Sequence, residues 1–295
     1  MISYAQNAED VVLDRLFHGR TTGRYVDVGA SDPVADSVTK HFYDLGWRGI
    51  NIEPIPAQVE ALKNARPGDV TLAVALGAEK GTATLHHVLN RDGWSTLDGD
   101  LARSYHHESA LDIVELQVEV RTLADVLDAH PGPVDFLKID VEGEERSVIE
   151  GADWTKHRPR VVVVEATEPG SPTPAHESWD PLMVSAGYRC ALFDGLNRFY
   201  AQEDDAEALD VLSVPANVFD KFTRAEVAEQ RAARFAEIAY IRRLEDAVHE
   251  AQEAQAKDAA CIEELRGTTR DAELQLAKAN QRIAALEARL TELES

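Results

Sequence analysis

The stretch Arg24-Tyr-Val-Asp-Val-Gly-Ala-Ser-Asp-Pro33 constrains this chain more than any other, because an apolar run breaks at one glycine and meets two residues suited to starting a helix. It reads as a buried strand, a tight turn and a helix, and such a turn brings backbone amides against a ligand. Asp32 is placed to cap the helix through its carboxylate, and Pro33 suits the first helical position, where the amide it lacks would be unpaired. Further on, Gly49-Ile-Asn-Ile-Glu53 ends in a second acid, 24 positions after Gly29. That spacing suits a nucleotide-binding βαβ unit, whose second strand ends in an acid that accepts hydrogen bonds from ribose hydroxyls. A dinucleotide fingerprint, however, needs three glycines where this turn has one. A pyrophosphate also needs positively polarised helix-end amides, and Asp27 and Asp32 bring negative charge there instead. The turn therefore favours a cationic or neutral nucleoside.

With 295 residues the chain can bury a substantial core, as one large domain or two smaller ones. Its net charge of −23 is uneven, with −19 on the first 222 residues and −4 on the rest. A field of that sign repels phosphate backbones and anionic lipid, so neither nucleic acid nor membrane is expected as a partner, and neutral or cationic small-molecule substrates fit better. No apolar run approaches the roughly 20 residues that a bilayer span needs, and the N-terminus lacks a basic region followed by an apolar one. A cytoplasmic location is expected. Cys190 and Cys261 fall in a strand and a distant helix, so neither a disulfide nor a cysteine metal site is expected.

From about 24 to 201, short β-branched runs alternate with amphipathic stretches, which is the pattern of an α/β protein with a largely parallel sheet. Strands are expected near 24–28, 49–53, 70–76, 134–140, 160–166, 188–193 and 197–201. Helices are expected near 34–45, 56–66, 122–129, 144–150 and 178–186. Only Asp194-Gly-Leu196 separates the last two strands, enough for a hairpin but not a parallel crossover, so the last strand should be antiparallel. Segment 81–121 breaks the alternation and reads as an inserted hairpin, with strands at 82–88 and 115–121.

Another architecture starts at Thr223-Arg-Ala-Glu226, a capping-box pattern followed by some 70 residues without proline. With Ile241 at heptad position a, the a series continues through Val248, Gln255, Ile262, Thr269, Leu276, Ile283 and Leu290. The d series runs Leu244, Ala251, Asp258, Leu265, Ala272, Ala279, Leu286 and Leu293. A helix over 241–293, about 80 Å long at roughly 1.5 Å per residue, is too long to pack on a head of this size. Two domains follow, 1–222 and 223–295, with the tail a coiled coil that makes the protein a homo-oligomer. A single frayed helix is the plainer alternative.

Phe136-Leu-Lys-Ile-Asp-Val-Glu-Gly143 is an apolar strand with Lys138, Asp140 and Glu142 at its C-terminal end, where open α/β sheets place ligands. Strand alternation puts the three side chains on one face. Val161–Val164 is another buried strand and ends in Glu165. Asp140 and Glu165 would then enter one crevice, where they could bind a divalent metal such as magnesium or share a proton. His176, in the loop after Glu165, could serve as a general base over that crevice. The pairs His86-His87 and His106-His107 are assigned no role, while Trp94, Tyr105 and Trp179 lie in expected loops and could stack on sugar rings. The chain has no Gly-x-Ser-x-Gly elbow, Walker loop or cysteine cluster, so hydrolase and NTPase readings lose their usual support.

Five segments together resemble one family. They are Ser3-Tyr-Ala-Gln-Asn-Ala-Glu-Asp-Val-Val-Leu13, Tyr25–Pro33, Ile52-Glu-Pro54, Phe136–Gly143 and Asp194-Gly-Leu-Asn-Arg-Phe-Tyr200, and in that order they look like the FkbM family of S-adenosylmethionine-dependent methyltransferases. The resemblance covers about residues 3–222. It implies a class I methyltransferase, Rossmann-like fold of seven strands, with the cofactor over Asp27, Gly29 and Ala30 and its ribose on Glu53. Gln6 and Asn7 would close over the cofactor, and Asp140, Glu165 and His176 would surround the acceptor. It further implies O-methylation of a sugar, glycan or glycosylated natural product. Two other classes stay open: a coiled-coil scaffold carrying a decayed methyltransferase head, and an NAD-dependent oxidoreductase.

Overall fold

In the computed structural model, which describes residues 1–89, 92–103 and 112–294, the chain divides into two compact units, Met1–Ala228 and Glu229–Ser295. The elements of the first unit begin with β1 (Ile2–Ser3), α1 (Glu9–Phe17), β2 (Arg24–Val28), α2 (Lys40–Leu45), β3 (Arg48–Ile52), α3 (Pro56–Ala65) and β4 (Val70–Leu72). Next come β5 (Ala75–Leu76), β6 (Gly81–Val88), β7 (Ile113–Arg121), α4 (Leu123–Ala129), β8 (Phe136–Ile139), α5 (Glu145–Glu150) and β9 (Val161–Glu165). The last are α6 (Asp180–Ser185), β10 (Tyr188–Phe193), β11 (Asn197–Gln202), α7 (Ala206–Val211) and β12 (Thr223–Arg224), and α8 (Ala225–Glu294) runs on into the second unit.

Seven strands form one sheet in the order β10-β11-β9-β8-β2-β3-β4. All run parallel except β11, which pairs antiparallel with both β9 and β10. The last strand is thus antiparallel, as the short Asp194–Leu196 link requires, and it lies one place in from the edge. Strand alternation sorts the core onto the two faces of the sheet. Val26, Val28, Leu137, Ile139, Val162 and Val164 pack with Val126 of α4, Val148 of α5 and Met183 of α6. Tyr25, Phe136, Val161 and Val163 face the other way, against Leu13 and Phe17 of α1, Phe42 of α2, and Trp47. The rings of Phe42 and Phe136 are 4.9 Å apart and those of Phe17 and Trp47 5.2 Å, within the range of favourable aromatic pairing.

The structure departs from the sequence expectations in three places. The 70–76 run is not one strand: β4 joins the main sheet, whereas β5 pairs in parallel with β7. With the antiparallel β6–β7 hairpin it makes a separate three-stranded sheet, packed on Ile55 through Leu85 and Val118. Residues 34–39 are not helical, since Asp32 Oδ1 accepts from the amides of Val34 and Ala35 and caps an isolated turn, while α2 starts six residues later than expected. Thr223–Arg224 do not cap a helix either; they pair in parallel with Ile2–Ser3 and tie the N-terminus to the segment that precedes α8. Among the described residues no helix is long and apolar enough to cross a membrane.

Candidate active site

The sheet reverses its winding at β2, which has β3 on one side and β8 on the other, and a crevice is expected outside the C-terminal ends of strands at such a point. The turn after β2 closes it from below. Gly29 has φ +75°, and a Cβ built on it would lie 1.8 Å from the carbonyl oxygen of Asp140 at the end of β8. Only glycine allows the two strand ends to approach this closely. The turn amides, however, do not point at a ligand. Those of Gly29 and Ala30 donate to the Ile52 carbonyl (3.0 and 3.2 Å), and that of Ser31 to Glu53 Oε2 (3.0 Å). A pyrophosphate would find no free cradle here, a stronger objection than the missing glycines.

Glu53 is buried and holds two segments at once, because its other oxygen accepts from the amide of Ile55 (2.8 Å) at the entry to α3. Burial raises its pKa, against the lowering effect of those two amides. Asp27 is also buried. Its Oδ2 accepts from Thr39 Oγ1 (2.6 Å) and its Oδ1 is 3.4 Å from Lys138 Nζ, so its carboxylate organises the floor of the crevice. Lys138 Nζ also donates to the Gly29 carbonyl (2.7 Å) and lies 3.3 Å from Asp140 Oδ2. Burial works against its charge, but Asp140 and Asp27 outweigh that effect and raise its pKa. One ammonium therefore joins the ends of β2 and β8.

Beyond Lys138 the strand ends, and Glu142 takes φ +53°, an uncommon backbone for a non-glycine residue. This bend gathers Asp140, Glu142 and Glu165, which each offer a carboxylate oxygen within 4.8 Å of the others. Burial first, and then the Asp140 charge, push the pKa values of both Glu165 and Glu142 well above the usual carboxylate range. Glu165 Oε2 is buried with no hydrogen-bond donor, an environment that favours a protonated acid. The three groups could share protons or hold a divalent cation. Thr96, in the loop of the β6–β7 hairpin, donates to the Glu142 carbonyl (2.9 Å) and fastens the insertion to this corner.

Glu145 supports the bend from behind, accepting from the amides of Val141 (3.0 Å) and Gly143 (3.2 Å). Burial raises its pKa from 4.5 to about 7. The folded state therefore holds a proton that the unfolded chain releases, and this contribution to stability is complete below pH 4.5 and lost as pH rises to about 7. Glu145→Gln keeps the acceptor oxygen and cannot ionise. Its unfolding free energy relative to wild type should rise across that window, by up to about 1.4 kcal/mol per pH unit. Denaturant midpoints at pH 5 and pH 8 check this, and an equal difference at both would show that Glu145 titrates normally.

The cavity bounded by these groups has a volume of about 580 Å³. Among the described residues that line it are seven acids and a single base, Lys138. Of the cofactor residues expected from the sequence, Gln6, Asp27, Gly29, Ala30 and Glu53 line it. Asn7 does not; its side chain reaches toward the Asp194 carbonyl (3.5 Å) and its amide donates to Glu9 (2.9 Å). Asp140 lines the cavity, whereas Glu165 and His176 are not on its wall. Glu165 joins through Asp140, while the His176 ring packs 6.2 Å from Phe193 and 6.3 Å from Trp179.

Trp179, expected in a loop, is buried against Tyr200. Tyr105, His106 and His107 lie outside the described residues. Trp94 does line the cavity. Sequence reasoning missed the part of the apolar wall formed by Val74, Leu76, Leu85 and Leu97. Its only signal was the Val74-Ala-Leu76 run, which reads on its own as the end of β4.

A profile described as methyltransferase FkbM domain matches residues 27–190, and so takes in the turn, Glu53 and the Asp140–Glu165 corner. The methyltransferase sdnD of Sordaria araneosa is 30% identical over 183 residues, which are 52% of this chain and 70% of that protein. Among solved structures, the methyltransferase FkbM of Methylobacillus flagellatus KT aligns at 17% identity with a TM-score of 0.38, over 68% of this chain and 48% of that one. This chain thus spans about half the length of that relative. A TehB-like SAM-dependent methyltransferase from Corynebacterium glutamicum ATCC 13032 Kitasato aligns at 8% identity and a TM-score of 0.37, over 66% and 87% of the two chains. The matched interval holds the single-glycine turn, the acid ending β3 and the carboxylate corner in one continuous stretch, and on that match the chain belongs to the FkbM methyltransferase family.

Proposed function

We propose that this protein transfers a methyl group from S-adenosylmethionine to a hydroxyl of a sugar, a glycan or a glycosylated natural product. The observation that carries the reading is the charge of the cavity, seven acids against one lysine, at strand ends whose turn amides are already engaged. Such a site suits a positively charged nucleoside and disfavours a dinucleotide. When bound, S-adenosylmethionine supplies an electrophilic methyl group on a cationic sulfonium. Glu53 retains lone pairs that can accept from ribose hydroxyls, and Gln6 lines the cavity from the N-terminal segment. Asp140, on the cavity wall beside Glu142 and Glu165, would take the proton of an acceptor hydroxyl. Trp94 offers an aromatic face to a sugar ring. A divalent cation held by the three carboxylates would serve the same end by lowering the pKa of the hydroxyl.

Calorimetry tests the reading directly. Saturable binding of S-adenosylmethionine is expected, with none of NAD. Absence of sulfonium binding would support a decayed head on a scaffold, and NAD binding would revive the oxidoreductase reading.

A further inference from the structure

From Glu229 to Thr291 every residue of α8 is exposed. Over Ile241–Thr291, nine of the fifteen a and d positions are Leu, Ile or Val, against one, Leu274, of the other thirty-six. All nine are 46–63% exposed. A helix that stayed single in water would gain nothing from collecting its aliphatic residues on one stripe. We propose that α8 pairs with α8 of a second copy of this chain, as a parallel, in-register, two-stranded coiled coil.

The choice of residues along the stripe sets the strand number. Five of the eight a positions are β-branched (Ile241, Val248, Ile262, Thr269 and Ile283), whereas the large aliphatic residues at d in this span are all leucine (Leu244, Leu265 and Leu286). β-Branched residues at a with leucine at d favour two strands over three or four. The flanking charges set the orientation. In a parallel pair Arg282, at g, faces Glu287, at e of the next heptad on the other copy, and no g-to-e pair between 241 and 291 brings like charges together. A fully overlapped antiparallel pair would set Glu245 against Glu287 twice and Arg266 against itself. Such like-charge contacts select against that arrangement. The polar layers at Gln255 and Asp258 face their own copies only in register; the two Gln255 amides can hydrogen-bond to each other, and the two Asp258 carboxyls meet as like charges unless they share a proton, so these layers cost stability and set the alignment.

The 295-residue chain at micromolar concentration should show, by light scattering after size exclusion, twice the 32.5 kDa of one chain. Ile262→Asp with Leu265→Asp should return the mass of a single chain, with unfolding of the head unchanged. A single-chain mass for wild type, or a dimer that survives both aspartates, overturns the proposal. Orientation has its own readout, which does not depend on the aspartate variant folding. Ala272→Cys in a Cys261→Ser background should oxidise to a disulfide-linked dimer on a non-reducing gel, because position 272 faces its own copy only in the parallel register. In the antiparallel pair it faces Ile262, and no cross-link would refute the parallel arrangement.

Discussion

Asp140→Asn should lower turnover by about 10²–10⁴-fold, the range for loss of a positioned proton acceptor, and Glu165→Gln, which keeps the neutral form that its burial favours, should lower it far less, while binding of S-adenosylmethionine stays measurable in both. Amides are better replacements than alanine here. Lys138 is buried between Asp27 and Asp140, and truncating Asp140 would leave that ammonium one carboxylate short, mixing a folding defect with a chemical one. Asparagine keeps the shape and an acceptor oxygen but cannot take up the proton. Single-turnover rates together with cofactor affinity separate the two effects, and a near-normal rate in Asp140→Asn would remove that carboxylate from the chemistry. His176→Ala should change the rate far less, because its ring packs against Phe193 and Trp179 away from the cavity wall. Rates after exhaustive EDTA treatment decide between the two ways the corner can act. Full activity would leave proton transfer to the carboxylates alone, and loss restored by magnesium would place a cation there.

Gly29→Ala should destabilise the head by roughly 2–5 kcal/mol and abolish measurable cofactor binding, the sum of left-handed backbone strain and an overpacked contact. The clash is with the Asp140 carbonyl at 1.8 Å, a main-chain atom that cannot rotate away as a side chain could. Relief requires β2 and β8 to separate at their C-terminal ends. That movement would stretch the Lys138 bond to the Gly29 carbonyl (2.7 Å) and the amide bonds from the turn to Ile52 and Glu53. Thermal unfolding and calorimetry on the same sample check both effects, and an alanine variant with wild-type affinity would show that the turn adjusts without loss.

What was legible in the sequence was whatever a single element decides. Val161–Val164 reads as a strand because four β-branched residues in a row suit a strand buried on both faces. The hairpin after Phe193 was fixed by a three-residue link. Asp140 and Glu165 could be brought together in advance because both stand at the ends of neighbouring parallel strands. What depended on two distant segments meeting stayed hidden. The turn amides look free until Ile52 and Glu53 are seen to accept from them, and Val74 and Leu76 look like the end of β4 until β7 is seen to pair with that segment instead. His176 and Trp179 read as loop residues from their neighbours in sequence, but packing against Phe193 and Tyr200 decides where they sit.

The pairing of Ile2–Ser3 with Thr223–Arg224 has a mechanical consequence. Any tension drawn along α8 enters the head at Arg224, whose guanidinium donates to the Gln6 carbonyl (2.9 Å) on the segment that lines one side of the cavity. In parallel strands a pull along the chain loads the rungs in shear, and this ladder has only two residues on each side. Such a load would fall on the two-residue ladder and the Gln6 segment before it reached the seven-stranded sheet.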